Sequence, residues 1–366
     1  MLGCVQDGSP ATFPWPAGSA TGIGSMPGTD PAEAMAVVLG ELPDLPHLPE
    51  LPARGPGADL VGRTAALLID LPVQVTASGW RLTSRPGRDL RRARSMLSAD
   101  LDAMEEAAEG YAGAFKIQVC GPWTLAASVE RGVSVEPALA DHGAVADLIT
   151  SLSEGVAAHV AEVRRRLPGA ALLLQVDEPS LPAVLAGAVP SASGLRRVAA
   201  VEEATVTGAL RDLLAAAGTP AVVHCCAAGV PLSCVTGAGA AAVSLDLSLL
   251  GRAEEDSLGE AAEAGLGILA GVLPVTEPSP GSGRAGPRAA AVWNGGARLD
   301  EAQRAARDVV DLWRRLGLPP GRLREQVVPT PACGLAGVSP AGARLLLGRC
   351  REAARLIGEI IEEDAR

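Results

Sequence analysis

The feature that most constrains the fold of this chain is a repeated alternation between short apolar runs and segments with helical periodicity. The run ALLLQVDEP at 171–179 is an example, because it follows a helical pattern over 140–167 and is apolar along most of its length. Strands that are buried on both faces of a parallel sheet read in this continuous way. Eight such runs are spaced along the chain, at 20–28, 44–52, 115–123, 171–179, 220–226, 241–248, 266–274 and 326–334. This pattern predicts an α/β fold of the (β/α)8 TIM-barrel type, with a doubly wound open sheet as the alternative.

Three segments depart from the alternation. Residues 73–83, VQVTASGWRLT, alternate around a Ser-Gly pair, which predicts a β-hairpin inserted into the repeat. Residues 1–18 are expected to form an irregular leader. Residues 276–298 are rich in Pro, Gly and Ser and are longer than a usual barrel loop, so we expect either a mobile lid or disorder there. No other segment is typical of a domain linker, and we predict one domain over 1–366.

Composition and charge exclude several classes of function. Hydrophobic residues make up 48% of the chain but aromatic residues only 2%, so the core must consist mainly of Ala, Val and Leu. The net charge of −11 argues against nucleic acid or an anionic membrane as a partner. No apolar run reaches the roughly 18 residues of a membrane span. The seven cysteines are odd in number and scattered, which does not fit a disulfide framework and predicts the reducing cytoplasm.

Candidate metal ligands follow three of the apolar runs. His224 and Cys226 are separated by one residue, so on a strand they share a face, while Cys225 points to the other side. Cys333 follows a later run, and Asp246 ends the run between them. The carboxyl ends of barrel strands meet at one rim, where these side chains would form a zinc site of nitrogen, sulfur and oxygen ligands, with Asp246 in reserve. Without such convergence, an isolated His-x-Cys pair is more often a packing feature of the core.

Two further groups of polar residues are candidates for binding a substrate. Asp177 and Glu178 end a strongly apolar run, where a carboxylate either serves a site or pairs with a loop arginine. Gly24 and Ser25 lie in a glycine-rich loop whose backbone N–H groups and hydroxyl suit a carboxylate or a phosphate. The loop lacks the third glycine and the later acidic residue of a dinucleotide-binding fingerprint.

Taken in order, TGIGSMPG, CGPWTLA, LQVDEPSLP, VVHCC, VSLDLS and TPACGL resemble the C-terminal catalytic barrel of cobalamin-independent methionine synthase. That barrel belongs to a superfamily that includes uroporphyrinogen decarboxylase. The resemblance runs from residue 21 to residue 335. It implies that His224, Cys226 and Cys333 are zinc ligands, and it puts Asp246 where the family has a glutamate ligand.

The same resemblance assigns the substrate site. It implies that Asp177 receives the amino group of homocysteine and that Gly24 and Ser25 receive its carboxylate. Thr276 stands where the family has a histidine that protonates the departing folate nitrogen, which leaves His47 as the candidate replacement. This chain is also about half as long as the two-barrel synthases, whose other half helps to bind the folate polyglutamate tail.

These observations predict a zinc-dependent methyltransferase that moves a methyl group to the thiol of homocysteine and forms methionine. Zinc lowers the pKa of a bound thiol and so supplies a thiolate at neutral pH. The methyl donor is expected to be a methylcorrinoid rather than methyltetrahydrofolate, because cobalt departs without needing a proton. The alternatives are a corrinoid-dependent methyltransferase for another small thiol and an inactive barrel that serves as a binding protein. A decarboxylase is less favoured, since its chemistry needs no thiolate-bound zinc.

Overall fold

The strands of the protein form two sheets in the part of the chain that the computed structural model describes, residues 13–132, 134–275, 301–364 and 366. They are β1 (Val73–Thr76), β2 (Gly79–Leu82), β3 (Ala114–Cys120), β4 (Val129–Glu130), β5 (Ala171–Asp177), β6 (Ala221–Cys225), β7 (Ala242–Asp246), β8 (Gly267–Leu273) and β9 (Val327–Pro331). The main sheet has six strands in the order β3-β5-β6-β7-β8-β9, and all its pairs are parallel. This curled parallel sheet with intervening helices is consistent with a TIM-like barrel. The predicted loop 276–298 lies outside the described residues.

Helices alternate with the strands of the main sheet. They are α1 (Pro31–Glu41), α2 (Leu60–Ala65), α3 (Arg88–Ala107), α4 (Pro122–Ser128), α5 (His142–Arg166), α6 (Leu181–Leu185), α7 (Glu203–Ala217), α8 (Leu232–Gly237), α9 (Arg252–Glu263), α10 (Glu301–Arg315), α11 (Pro320–Gln326) and α12 (Pro340–Asp364). None of the described helices is both long enough and apolar enough to cross a membrane. The buried residues are dominated by Ala, Val and Leu, as the composition requires.

Local sequence explains where the helices begin and end. The Asp30 carboxylate accepts hydrogen bonds from the backbone N–H groups of Ala32 and Glu33 at 2.9 and 3.2 Å, and proline occupies the first position of α1. Helix α2 begins after Asp59, whose carboxylate accepts a hydrogen bond from Gly62 N at 2.8 Å, and ends at Ala65. Beyond this end, the Arg94 guanidinium donates hydrogen bonds to the carbonyls of Ala66 and Leu68.

The first two expected strands, at 20–28 and 44–52, are not regular strands. Each forms only isolated parallel bridges, Ser25 with Glu50 and His47 with Lys116. Proline lacks the N–H group that a ladder needs, and the second segment contains three prolines, at 46, 49 and 52. The prediction of eight regular strands is therefore wrong at these two positions.

Backbone hydrogen bonds nevertheless join these two segments to both edges of the main sheet. On one side, Leu48 N donates a hydrogen bond to Lys116 O of β3, and Lys116 N donates one to Pro46 O, both at 2.9 Å. Between the segments, Glu50 N donates to Gly24 O at 3.1 Å. On the other side, Thr21 N donates to Pro329 O of β9 at 3.3 Å.

The smaller sheet contains β1, β2 and β4. Strand β1 pairs antiparallel with β2, from Val73 opposite Leu82 to Thr76 opposite Gly79. Strand β2 also pairs in parallel with β4, which directly follows α4. This sheet therefore contacts the chain just beyond the carboxyl end of β3.

Candidate active site

The carboxyl ends of neighbouring strands in the main sheet carry a row of polar side chains. The register places Asp177 of β5 beside His224 of β6, and His224 beside Ser244 of β7. Asp177, His224 and Ser244 are all buried, in a sheet that is otherwise mostly apolar. Parallel strands thus bring together residues that are widely separated in the sequence, as expected for a site at one rim of a barrel.

Two cysteines meet at this rim. Cys226 directly follows β6, and Cys333 lies just after β9. Their Sγ atoms are 3.6 Å apart. The contact with Cys226, and then a hydrogen bond with His224, lower the pKa of Cys333 to about 4. The same contact raises the pKa of Cys226, with burial adding to the effect. The contact between the two sulfurs therefore favours ionisation of Cys333 over ionisation of Cys226.

His224 is held in a defined orientation. Its Nδ1 atom lies 2.9 Å from Ser244 Oγ, and the ring is buried. A hydrogen bond to one ring nitrogen is the usual way to orient a histidine whose other nitrogen binds a ligand. Cys225 points away from this group, as predicted, and is buried with its thiol directed at Ala227 O.

The chemistry of the three side chains His224, Cys226 and Cys333 fits zinc. Two sulfurs bound to one tetrahedral zinc at about 2.3 Å each would lie about 3.8 Å apart. The observed sulfur–sulfur distance is 3.6 Å. Even so, the described residues contain no group of three or more His, Cys, Asp or Glu side chains already placed to hold a metal ion. The sulfur pair has the required spacing, whereas the complete set of ligands is not preformed.

Asp246, the fourth predicted metal ligand, has a different local role. Its carboxylate accepts a hydrogen bond from Ser248 N at 2.8 Å and so caps a short 3-10 turn. It also lines a cavity of about 520 Å³ together with Asp308, Asp311 and Arg315. The structure therefore gives Asp246 a partner of its own and does not assemble it with the cysteine pair.

The predicted carboxylate-binding loop lies next to Cys333. The backbone carbonyl of Ser25 accepts a hydrogen bond from Leu335 N at 2.8 Å. A Cβ atom at Gly334 would lie 2.1 Å from Ser25 Oγ, so only glycine allows this close approach. Gly24 is equally confined, since a Cβ there would lie 2.9 Å from the side chain of Gln118.

Asp177 is buried beside this loop. Its Oδ1 atom accepts a hydrogen bond from Gln175 Nε2 at 2.7 Å. Burial and the nearby Glu50 raise the pKa of Asp177, while Lys116 opposes the rise. A buried carboxylate of this kind would gain a counter-charge from the ammonium group of an amino acid.

Sequence reasoning missed Lys116 and Gln175. Lys116 is fully buried, and burial lowers its pKa to about 7 against the opposing effects of Asp177 and Glu50. The available signal was a lysine in the apolar run FKIQVC, where no charged residue is expected without a partner.

Glu178 binds the start of a helix and forms no ion pair with an arginine among the described residues. Its carboxylate accepts hydrogen bonds from Trp123 N, Thr124 N and Thr124 Oγ1 at 2.9, 2.8 and 2.7 Å. It thereby ties the end of β5 to the first turn of α4. Burial raises the pKa of Glu178 to about 7, although the hydrogen bonds from Thr124 and Trp123 oppose this.

His47, the candidate proton donor, is buried against the glycine-rich loop. A Cβ atom at Gly22 would lie 2.3 Å from its Cε1 atom. Burial, and then the charge of Lys116, hold the pKa of His47 well below its ordinary value. The imidazole is therefore neutral at neutral pH and does not fit the role of an acid. Thr276 lies outside the described residues.

Comparisons with known proteins agree with the resemblance seen in the motifs. A family model described as "Cobalamin-independent synthase, Catalytic domain" matches residues 18–356. The chain is similar in structure to a B12-independent methionine synthase from Shewanella sp. W3-18-1 in complex with selenomethionine. The TM-score is 0.62 at 11% identity, over 95% of this chain and 100% of that one. A xylanase A catalytic core gives a TM-score of 0.34 at 13% identity, over 64% of this chain and 71% of that one. A search of curated proteins finds no match.

Proposed function

Because the chain belongs to the family of cobalamin-independent synthase catalytic domains, we propose that it transfers a methyl group to the thiol of homocysteine and forms methionine. The observation that carries the proposal is the Cys226–Cys333 pair with His224 at the same rim as Asp177 and Ser25. One side of this site offers ligands for a thiol-activating metal. The other side offers a carboxylate and a polar loop, which suit the two charged groups of an amino acid.

The proposal includes one closed (β/α)8 barrel over the whole chain. The two irregular segments at 20–28 and 44–52 would be its first two strands, and their backbone hydrogen bonds to β9 and β3 support this. The β1–β2 pair would then be a hairpin inserted between the second and third barrel strands.

Zinc would be held by His224, Cys226 and Cys333, with Asp246 in reserve as a fourth ligand. When bound, zinc would lower the pKa of the homocysteine thiol so that it reacts as a thiolate. Free thiols of this kind require a reducing compartment, and we place the protein in the cytoplasm.

The side chains around the metal ligands would align the substrate. Asp177 would accept hydrogen bonds from the ammonium group, and Ser25 with the Gly24 backbone would donate to the carboxylate. Ser244 would keep the His224 ring in place through its 2.9 Å contact with Nδ1. With both ends of the amino acid held, its sulfur would point at the cysteine pair, which reduces the entropic cost of reaction with the donor.

The methyl donor is best matched by a methylcorrinoid. Folate leaves poorly unless its nitrogen is protonated, and a positioned acid contributes about 10²–10⁴-fold to such a step. The depressed pKa of His47 argues against this side chain as that acid. Initial rates with methylcobalamin and with methyltetrahydrofolate triglutamate test the choice, and faster turnover with folate would refute it. Turnover with other small thiols but not with homocysteine would favour the alternative acceptor.

The metal assignment has a direct test. Protein purified without added metal should contain about one zinc per chain, and the Cys226→Ala, Cys333→Ala double variant should lose it. Cys225→Ala is the matched control, because its thiol is adjacent in sequence but points away from the site. Wild-type protein without zinc, or full retention of zinc by the double variant, would contradict the proposal and favour an inactive binding protein. Asp246→Asn then shows whether the reserve carboxylate contributes to zinc affinity.

A further inference from the structure

Lys116 is the only lysine in the sequence, and it is fully buried in β3. Its Nζ atom donates hydrogen bonds to Ile23 O and to Gln175 Oε1, both at 2.7 Å. No ion pair joins it to a carboxylate among the residues that the structure describes. Burying an amine without a salt bridge costs free energy that an aliphatic side chain would avoid. A purely structural role in packing therefore does not account for a lysine here.

The partners of Lys116 lead directly to the proposed amino-acid site. Gln175 accepts from Lys116 through Oε1, and its Nε2 group donates to Ile23 O at 2.8 Å and to Asp177 Oδ1 at 2.7 Å. An amide has one acceptor end and one donor end, so the bond from Lys116 to the oxygen, together with the bond from the nitrogen to Ile23 O, decides which end faces Asp177. With the lysine present, the amide N–H group faces the carboxylate.

Without Lys116 only the bond from Gln175 Nε2 to Ile23 O would support this orientation of the amide. The buried Gln175 oxygen would be left without its donor, or the amide would turn and direct its oxygen toward Asp177. Two acceptors would then face each other unless Asp177 turned away or took up a proton. Either change removes the acceptor that an ammonium group needs.

We propose that Lys116 is a positioning residue for the amino-acid site, which acts through the amide of Gln175 to hold Asp177 as the acceptor for the substrate ammonium group. The inference rests on the proposed function, because it assumes an amino-acid substrate. It extends that function by two residues, neither of which has to touch the substrate.

The test compares two ligands that differ only in the amino group. L-Homocysteine and 4-sulfanylbutanoate share the thiol, the chain and the carboxylate, and the second lacks the ammonium. Binding of each to the zinc-loaded full-length protein is measured by calorimetry in the presence of a reductant. Wild-type protein should prefer homocysteine by about tenfold or more, the range for a hydrogen bond to a charged group.

The variants Lys116→Met and Gln175→Met should bring this preference close to one, mainly by weakening homocysteine. Their zinc content and their affinity for 4-sulfanylbutanoate should stay within about twofold of wild type. Gln326→Met is the matched control: Gln326 is also fully buried, and its Nε2 donates two hydrogen bonds, to Ala262 O and Leu266 O. It has no link to Asp177 and should keep the full preference.

The two possible failures are distinguishable. If wild-type protein prefers homocysteine and both variants keep that preference, the positioning role is wrong while the proposed function stands. If wild-type protein does not bind homocysteine, the proposed function is wrong and the inference falls with it.

A second readout does not depend on the stability of any variant. Protein labelled with [ε-¹³C]lysine should give one lysine signal, from Lys116, because the chain has no other. Homocysteine should shift that signal clearly more than 4-sulfanylbutanoate does. The proposal would be overturned if the two ligands shifted the Lys116 signal equally, or if neither ligand shifted it although both were bound.

Discussion

Replacement of Glu178 by alanine should destabilise the protein far more than a typical loss of one glutamate. Its carboxylate is fully buried and accepts three hydrogen bonds. Two come from the backbone N–H groups of Trp123 and Thr124, and the third comes from the Thr124 hydroxyl. In Glu178→Ala the two backbone donors stay buried without an acceptor. Each unsatisfied donor costs about 1–3 kcal/mol, whereas the hydroxyl can rotate to another partner.

Part of this cost is offset by removal of a buried carboxylate. The rise in the pKa of Glu178 from 4.5 to about 7 means that the folded protein disfavours its ionised form by about 3 kcal/mol. At pH 7 nearly all of this penalty applies, because the carboxyl is ionised in the unfolded protein but only about half ionised in the folded one, and alanine removes it. We expect a net decrease in the free energy of unfolding of about 1–3 kcal/mol.

Urea unfolding at pH 7, followed by far-ultraviolet circular dichroism, measures this decrease. Glu136→Ala is the control, because the half-buried Glu136 also accepts a backbone hydrogen bond, from Ala192 N at 3.0 Å, but this bond is exposed to solvent. It should change the free energy by no more than about 0.5 kcal/mol. If Glu178→Ala is as mild as the control, the hydrogen bonds to α4 do not stabilise the fold and the reasoning fails.

Other predictions concern pH and the approach of two loops. A carboxyl whose pKa is raised in the folded state stabilises the protein below its unfolded pKa and loses that contribution as pH rises through the folded value. The stability of wild type relative to Glu178→Ala should therefore fall by about 2–3 kcal/mol between pH 5 and pH 8, which urea titrations at both values check. Gly334→Ala should force Ser25 to move, since the new Cβ would lie 2.1 Å from its hydroxyl, and should weaken homocysteine binding by about tenfold in calorimetry. Gly337→Ala, which meets no atom within 4 Å, should bind normally, and equal affinities in the two variants would refute the assigned contact.

The convergence of the cysteines was predictable because strand ends in a parallel sheet share one edge. His224 and Cys226 have the spacing of neighbours on one face, and Cys333 follows another apolar run. The structure places Cys226 and Cys333 within 3.6 Å of each other. Period-two alternation also predicts correctly that Cys225 turns away.

Other features were not accessible from local pattern. The roles of Glu178 and Lys116 depend on partners about 55 and 60 residues away, respectively, and no periodicity encodes such contacts. The sequence left two roles open for Glu178, because an acidic residue at a strand end has the same local pattern whether it faces a ligand, an arginine or a helix terminus. The segments at 20–28 and 44–52 were predicted as strands but do not form regular ones. Proline cannot donate a backbone hydrogen bond, so only isolated bridges form there.

The sequence distance between the two paired cysteines also has a consequence during synthesis. Cys226 precedes Cys333 by 107 residues, which a ribosome adds in about 5–20 s at about 5–20 residues per second. During this interval the nascent chain carries Cys225 and Cys226 as adjacent thiols, without the sulfur that pairs with Cys226. A contact of still longer range, from Trp15 Nε1 to Glu325 O across 310 residues, also has to wait for nearly the whole chain. If the proposed zinc site is correct, its complete donor set would therefore form only late in synthesis, and until then Cys226 would lack the sulfur that lies beside it in the folded protein.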